Sequence, residues 1–591
     1  MIKLFKFLKP YWWQVIILLI TTAVQVYTTL RLPALMADII NDGIVPGNID
    51  YIWQTGLLML GVAVISAVGA LVSSYFAARI GTSYARDIRT AVFTKVINFN
   101  ILDVKDFSTA SLLTRTTNDV NQVQMATIMM LMMLVRAPLF CIISIIMAIQ
   151  TAPDMSWIIW IGIAAIIGSV VLIMSLVIPK FKIFQTMIDK ITLLTRENLT
   201  GLKVIRAFNN EKLEKNKFDK TNNELTKLLI FIDKIMELQN PLMNIIFNGT
   251  LLLCFWIGIS LLSKDFAYLG NMTAFAQYVN HVMISFLMMS ILFVMLPRAN
   301  VSAHRINRVL NRKSKINWLK KTNGLPEKKP SVEFRKVDFI YPEAEEKMLS
   351  QVSFVANAGE TTAFIGSTGS GKSTLINLIP RFYEATSGEV LVNGVSVKDY
   401  AKNDLIKRIG FVPQRGMLFA GTVKANIKFG APNASDEQVR RAARIAQAEN
   451  FINKLPKKYE SHIAQGGTNV SGGQKQRLSI ARAICKNPDI YIFDDSFSAL
   501  DMKTDAKLRE ALKEVTSEAV VLIVAQRIST IKDADQIVVL NDGRVVGKGR
   551  HLELLNDCKV YQEIVKSQLS DDEYEKEIKL AKKSGGRYAK A

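Results

Sequence analysis

Gly366-Ser367-Thr368-Gly369-Ser370-Gly371-Lys372-Ser373 decides how the second half of this chain folds. The stretch follows the apolar run Thr362-Ala363-Phe364-Ile365 and leads into Thr374-Leu375-Ile376-Asn377-Leu378-Ile379. It therefore joins a buried strand to a helix, the setting that the pattern G-x-x-x-x-G-K-[ST] requires of a phosphate-binding loop. Glycines let main-chain N–H groups close around phosphate oxygens at the helix N-terminus. Lys372 would neutralise the β- and γ-phosphates and the Ser373 hydroxyl would ligate Mg²⁺, so Gly366 through Thr374 are the expected ATP contacts. The competing reading, a glycine-rich turn that holds no nucleotide, leaves the flanking strand and helix unexplained.

Working outward, short β-type runs alternate with helical patterns from Val332 onward, as in a parallel-sheet α/β domain. Ile490-Tyr491-Ile492-Phe493-Asp494 is a buried-strand pattern ending in a carboxylate. At the carboxyl end of a parallel strand Asp494 would face the same phosphates and hold Mg²⁺ through water.

Upstream of Pro297 the composition changes. Six apolar segments, about 12–36, 53–80, 129–151, 156–178, 241–263 and 273–296, are long enough to span a bilayer as helices. The connections 37–52, 152–155 and 264–272 are short, whereas 81–128 and 179–240 are long, charged and helix-patterned. Lys and Arg crowd the 179–240 loop, while the short loops carry Lys264 against Asp38, Asp42, Asp50, Asp154 and Asp265. The positive-inside rule then puts the long loops and both termini in the cytoplasm of a cell membrane. The same asymmetry accounts for the net charge of +22 without a nucleic-acid partner. Cys141, Cys254, Cys485 and Cys558 lie far apart with no metal-ligand spacing, and no cleavable signal peptide is expected. The expected layout is an all-α six-helix membrane domain over 1–318 with cytoplasmic helix extensions near 81–128 and 179–240. A linker over 319–330, an α/β P-loop NTPase domain over 331–569 and a charged, disordered tail over 570–591 follow.

Val470-Ser471-Gly472-Gly473-Gln474-Lys475-Gln476-Arg477, just upstream of Asp494, resembles the signature sequence of ABC ATPases, and the resemblance extends over essentially the whole chain. In that family two nucleotide domains meet head to tail, and each ATP lies between one phosphate loop and the other domain's signature. The resemblance implies that Ser471, Gly472, Gly473 and Gln474 contact ATP on a partner chain. It also makes Tyr341, in Phe339-Ile340-Tyr341-Pro342, the adenine-stacking aromatic. Gln414, in Val412-Pro413-Gln414, becomes the glutamine that senses Mg²⁺ and the membrane domain, and Ser498-Ala499-Leu500-Asp501 the loop communicating across the dimer. Ser111–Val120 and Glu197–Phe208 resemble the two cytoplasmic extensions of ABC exporters, with short transmitting helices near 100–107 and 208–215.

Two positions depart from the family pattern. Asp495 stands where a glutamate usually orients the attacking water, and Gln526 where a histidine contacts the γ-phosphate. One methylene sets the carboxylate back by up to about 1.5 Å. A ~1 Å displacement can cost ~10²-fold and general-base assistance is worth ~10²–10⁴-fold. A weakly hydrolytic site beside a signature intact but for Val470 resembles the degenerate subunit of a bacterial heterodimeric multidrug exporter, paired with a catalytically competent half-transporter. In the preceding Ala464-Gln465-Gly466-Gly467 the family's Gly-Glu-containing segment is altered, which leaves cross-talk there less defined. The expected cargo is drugs or other lipophilic compounds drawn from the cytoplasm or inner leaflet, in contact with membrane lipids. The alternatives are a dedicated peptide or lipid exporter and a non-transporting ATP-dependent regulator. Met129, Met130, Met132, Met133, Met283, Met288, Met289 and Met295 suit a permissive apolar cavity, and equally suit lipid-facing or packing roles. Arg136 is an intramembrane charge and a functional candidate, or a side chain that snorkels; Asp42 could gate the outer mouth or simply be solvated.

Overall fold

The computed structural model describes residues 1–262, 268–314, 316–322, 329–342 and 344–588. Two units emerge, one formed by Met1–Asn98 with Phe107–Arg312 and the other by Phe99–Asp106 with the chain from Lys313 onward. Part of the expected linker, 323–328, lies outside the described residues.

The first unit is helical. Among the described residues five stretches are long and apolar enough to cross a membrane: Ile2–Ile44, Ile49–Ile97, Thr109–Thr151, Pro153–Thr200 and Glu211–Ile259. The sixth expected span, 273–296, falls within the helix Tyr268–Leu310, and the 264–272 loop before it lies partly outside the described residues. The helix Ile49–Ile97 has 49 residues. At about 1.5 Å per residue it is roughly 73 Å long, against about 30 Å of hydrocarbon. The cytoplasmic extension is thus the membrane helix itself, continued. Its outward side is apolar, with Trp53, Leu57, Leu60, Val64 and Leu71 exposed. Its buried stripe is small: Gly69, Ser73, Ala77 and Gly81 recur every fourth residue, and a Cβ on Gly69 would stand 3.2 Å from Gln25 Cβ on the helix Trp12–Asp38. Close approach of small residues packs helices where lipid removes the hydrophobic drive between them.

Two details differ from expectation. The third span is broken at Leu134–Val135, between the helices Asn118–Met133 and Arg136–Thr151, because Pro138 lacks an N–H and is accommodated in a first turn. The second short helix is Leu202–Ala207, not 208–215, since Asn209 takes φ 54 and turns the chain before Glu211 starts the next helix.

The second unit carries, among its described residues, twelve strands: β1 Ser331–Phe339, β2 Leu349–Asn357, β3 Thr361–Gly366, β4 Ser387–Val392, β5 Val395–Ser396, β6 Ile409–Val412, β7 Gly421–Thr422, β8 His462–Ile463, β9 Ile490–Asp494, β10 Val520–Val524, β11 Gln536–Asn541 and β12 Arg544–Gly549. The main sheet has the order β12-β11-β3-β10-β9-β6, parallel except for β12. β9 and β10 are buried along their whole length, as continuous apolar runs in a sheet covered on both faces should be. A second, antiparallel sheet, β2-β1-β4-β5, is pinned by Asp338. Its carboxylate accepts from Gln351 N at 2.7 Å, Lys347 Nζ at 2.9 Å and Ser387 Oγ at 2.8 Å, and these bonds hold it well below the usual carboxylate range.

The tail expected to be disordered is instead a helix, Asp571–Tyr588. Its composition is charged, but Tyr574, Ile578 and Ala581 fall on one helical face and pack against the sheet core.

Candidate nucleotide site

Four adjacent parallel strands, β3, β10, β9 and β6, end at one place, and each delivers part of the site there. The phosphate loop leaves β3, Gln526 follows β10, Asp494 and Asp495 close β9, and Gln414 follows β6. Carboxyl ends of parallel strands are where open α/β sheets bind ligands.

The loop's shape depends on two glycines. A Cβ on Gly366 would lie 2.1 Å from the Leu540 carbonyl oxygen, and Gly371 at φ 94 would place one 2.7 Å from Leu349 Cδ2. Lys372 Nζ donates to the carbonyls of Gly366 at 2.8 Å and Ser367 at 2.7 Å, curling over the loop. Burial lowers its pKa, while Asp495 and Asp494 act in the opposite direction. Ser373 Oγ donates to Asp494 Oδ1 at 2.9 Å. A hydroxyl and a carboxylate side by side form the all-oxygen donor set that Mg²⁺ prefers, so these residues fit the metal. When bound, Mg²⁺ offsets phosphate charge. Burial pushes the Asp494 carboxyl up, as does the neighbouring Asp495; Ser373 and Lys372 pull it down.

Asp495 sits in a left-handed conformation, φ 46, with its N–H on Val524 O at 2.9 Å. Two amides converge on its carboxylate: Gln414 Nε2 at 3.2 Å and Gln526 Nε2 at 3.0 Å, both on Oδ2. Burial is the main cause of its raised pKa. The shortened side chain is therefore held from two sides.

Tyr341 gives its hydroxyl to a hydrogen bond with Thr374 Oγ1 at 2.8 Å, tying the expected base platform to the phosphate loop. Lys105, in the short helix Ile101–Phe107, places Nζ 5.8 Å from the Tyr341 ring centroid and 5.9 Å from that of Tyr383. Nothing in the sequence singled out Lys105, because its neighbours in space are more than two hundred residues away.

Ser471 to Gln474 form a separate group. Ser471 caps the helix Gly472–Lys486 in a reciprocal box, its Oγ accepting from Gln474 N at 3.3 Å and its N–H donating to Gln474 Oε1 at 2.9 Å. A Cβ on Gly473 would approach Ala499 O to 3.2 Å, so the signature abuts the Ser498–Asp501 stretch. The capped N-terminus presents main-chain N–H groups suited to phosphate.

Comparison with known proteins gives the family of both halves of the chain. Residues 15–286 match the ABC transporter transmembrane region and residues 349–498 the ABC transporter domain. An uncharacterized ABC transporter ATP-binding protein of Mycobacterium tuberculosis is 36% identical over 568 residues, 95% of this chain and 97% of that protein. YfiB of Bacillus subtilis, also an uncharacterized ABC transporter ATP-binding protein, is 35% identical over 96% of this chain and 98% of its own length. A bacterial Atm1-family ABC exporter, solved with ATP bound, shares the fold with a TM-score of 0.79 at 22% identity, covering 94% of this chain and 98% of that one.

One expectation is corrected by these matches. The chain was expected to be the degenerate subunit of a heterodimeric multidrug exporter, with a slow site and a competent partner chain. Instead, 94% of the chain shares the fold of an Atm1-family exporter, and 95–96% of it aligns with the single-chain relatives above. The sequence shows Asp495 and Gln526 as two separate departures from the family pattern. They are partners 3.0 Å apart, and with Gln414 they form one assembled cluster. The chain is a multi-pass membrane protein with a cytoplasmic nucleotide-binding domain that binds ATP and Mg²⁺ and couples ATP hydrolysis to transport. By these full-length matches, and by the phosphate loop and signature they contain, it belongs to the ABC transporter family.

Proposed function

We propose that two copies of this chain assemble head to tail into an exporter that hydrolyses ATP to move small lipophilic compounds across the membrane. The observation that carries this reading is the Gln414–Asp495–Gln526 cluster beside Ser373 and Asp494. Two amides on one oxygen fix the rotation of the Asp495 carboxylate, and its second oxygen accepts from the attacking water. Burial makes that carboxylate a stronger base. Lys372 and the loop N–H groups hold the phosphates. Ser471 and Gly473 of the second copy complete each site, so both sites are equivalent.

Two further observations support the assembly and the cargo. Leu199, Val204 and Phe208, around the short helix Leu202–Ala207, expose large apolar surface that a second copy would cover. In the membrane unit a cavity of about 310 Å³ is lined by Met243, Asn244, Phe247, Asn280, Met283 and Leu287 among others. Two amides within an apolar, methionine-bearing wall suit a lipophilic molecule with one or two hydrogen-bonding groups. Arg136 lies apart from this lining, its guanidinium carbon 5.4 Å from the Phe140 ring centroid.

The test is to purify the chain alone, reconstitute it in proteoliposomes, and measure its mass and its ATPase activity with and without lipophilic compounds. A dimer whose turnover rises with such compounds is expected. Turnover that appears only on adding a different half-transporter would overturn the reading.

A further inference from the structure

The short loop after β10 that carries Gln526 is held from outside by one side chain. Gln568 Nε2 donates to the Gln526 carbonyl at 2.7 Å, and Gln568 Oε1 accepts from Ile528 N at 2.9 Å. The two bonds straddle Arg527. Ile528 opens the helix Ile528–Ile531, which has no side-chain cap of its own, so Gln568 satisfies a helix-start N–H that would otherwise lack a partner. Glutamine suits this task because one planar amide supplies both a donor and an acceptor.

Gln568 is itself anchored. It follows the helix Lys559–Lys566, with its N–H on Val565 O at 3.1 Å, and Tyr561 and Val565 of that helix are fully buried. Leu569 packs against the same core, and the helix Asp571–Tyr588 adds Tyr574, Ile578 and Ala581 beyond it. A rigid support on one side and a two-point grip on the other make a continuous line. It runs from the C-terminal segment through the Gln526 main chain to the Gln526 amide and on to Asp495 Oδ2 at 3.0 Å.

We propose that Gln568 is a positioning residue for ATP hydrolysis, setting through its two main-chain hydrogen bonds the place from which Gln526 orients Asp495. The proposal rests on the reading of Asp495 and Gln526 as the water-holding pair. Loss of the grip frees the loop, and displacements of about 1 Å at a reacting centre cost up to ~10²-fold. The phosphate loop shares no bond with Gln568, so nucleotide binding stays as it is.

The experiment uses the full-length protein in proteoliposomes with Gln568→Ala, Gln568→Glu, Gln526→Ala and the double variant Gln526→Ala/Gln568→Ala. Glutamate keeps the acceptor for Ile528 N but sets a carboxylate oxygen against the Gln526 carbonyl. Both Gln568 variants are expected to lower kcat about tenfold, with the KM for ATP and the melting temperature unchanged. In the Gln526→Ala background, removal of Gln568 should cost nothing more, because residues acting through one another are non-additive. Additive losses in the double variant, or a fall in kcat tracked by loss of melting temperature, would show a structural role and overturn the proposal. Wild-type turnover in both Gln568 variants beside reduced turnover in Gln526→Ala also defeats it. Unchanged turnover in Gln526→Ala defeats the reading of the Asp495–Gln526 pair, and this proposal with it.

Discussion

The two halves of the nucleotide site are built differently. The phosphate side, Gly366 to Thr374, is one short stretch whose geometry follows from its own glycines and the helix it starts. The side proposed to hold the attacking water gathers Gln414, Asp495, Gln526 and Gln568 from four separate places, joined by side-chain and main-chain hydrogen bonds. A local motif keeps its shape when a distant residue changes. A side-chain network loses its geometry when any member is removed, although each bond is ordinary. Binding and hydrolysis should therefore respond separately to mutation.

The sharpest way to break this contrast is Asp495→Asn. If two copies pair as proposed, removing the proposed base from both sites should lower turnover ~10²–10⁴-fold while ATP still binds, measured by ATPase rate and by equilibrium binding of a fluorescent ATP analogue. A modest fall would mean that the cluster does not hold the water.

Gly473→Asp comes next. It sets a carboxylate toward a phosphate that needs donors and crowds Ala499 O, already 3.2 Å from a Cβ at that position. A loss of ~10²–10³-fold in turnover is expected, the range for one preorganised donor. Mixed dimers of mutant and wild-type chains should retain one working site; full inactivity of purified mixed dimers would show that the two sites fire only together.

Lys372→Ala acts on the other half. Loss of a charged hydrogen-bonding group, about 1.5–3 kcal/mol, should weaken ATP binding ~10–10²-fold. Titration with the same analogue reads this directly. An unchanged dissociation constant with slowed turnover would place Lys372 on the hydrolytic side and dissolve the division.

The smallest effect is expected at Lys105, whose ammonium lies near the Tyr341 and Tyr383 rings. A cation–π contact at a partly exposed site is worth about 0.5–1 kcal/mol, or roughly threefold. Lys105→Ala should shift the KM for ATP by about that factor and leave competition by inorganic tripolyphosphate, which has no base, unaltered. Equal shifts for both ligands would make Lys105 a phosphate-side charge.

Much of this protein was legible in its sequence. The apolar lengths and the Lys/Arg bias gave membrane helices with a cytoplasmic second half, because burial in lipid and charge placement depend on composition. The motifs Gly366–Ser373, Asp494 and Ser471–Gln474 stand out in the sequence because each lies within a few consecutive residues. Local chemistry leaves local patterns. The helix Asp571–Tyr588 was not legible, since its charged composition hides one packed face that needs the sheet core to become visible. Asp495 and Gln526 could be read only as two departures, because sequence compares each position with an expectation and carries no distance between them. Tertiary structure decided that they are partners 3.0 Å apart, and that a glutamine forty-two residues beyond Gln526 grips the loop that carries it. Hydrogen bonds between remote segments depend on where the backbone carries each group, and the whole fold is needed to fix that.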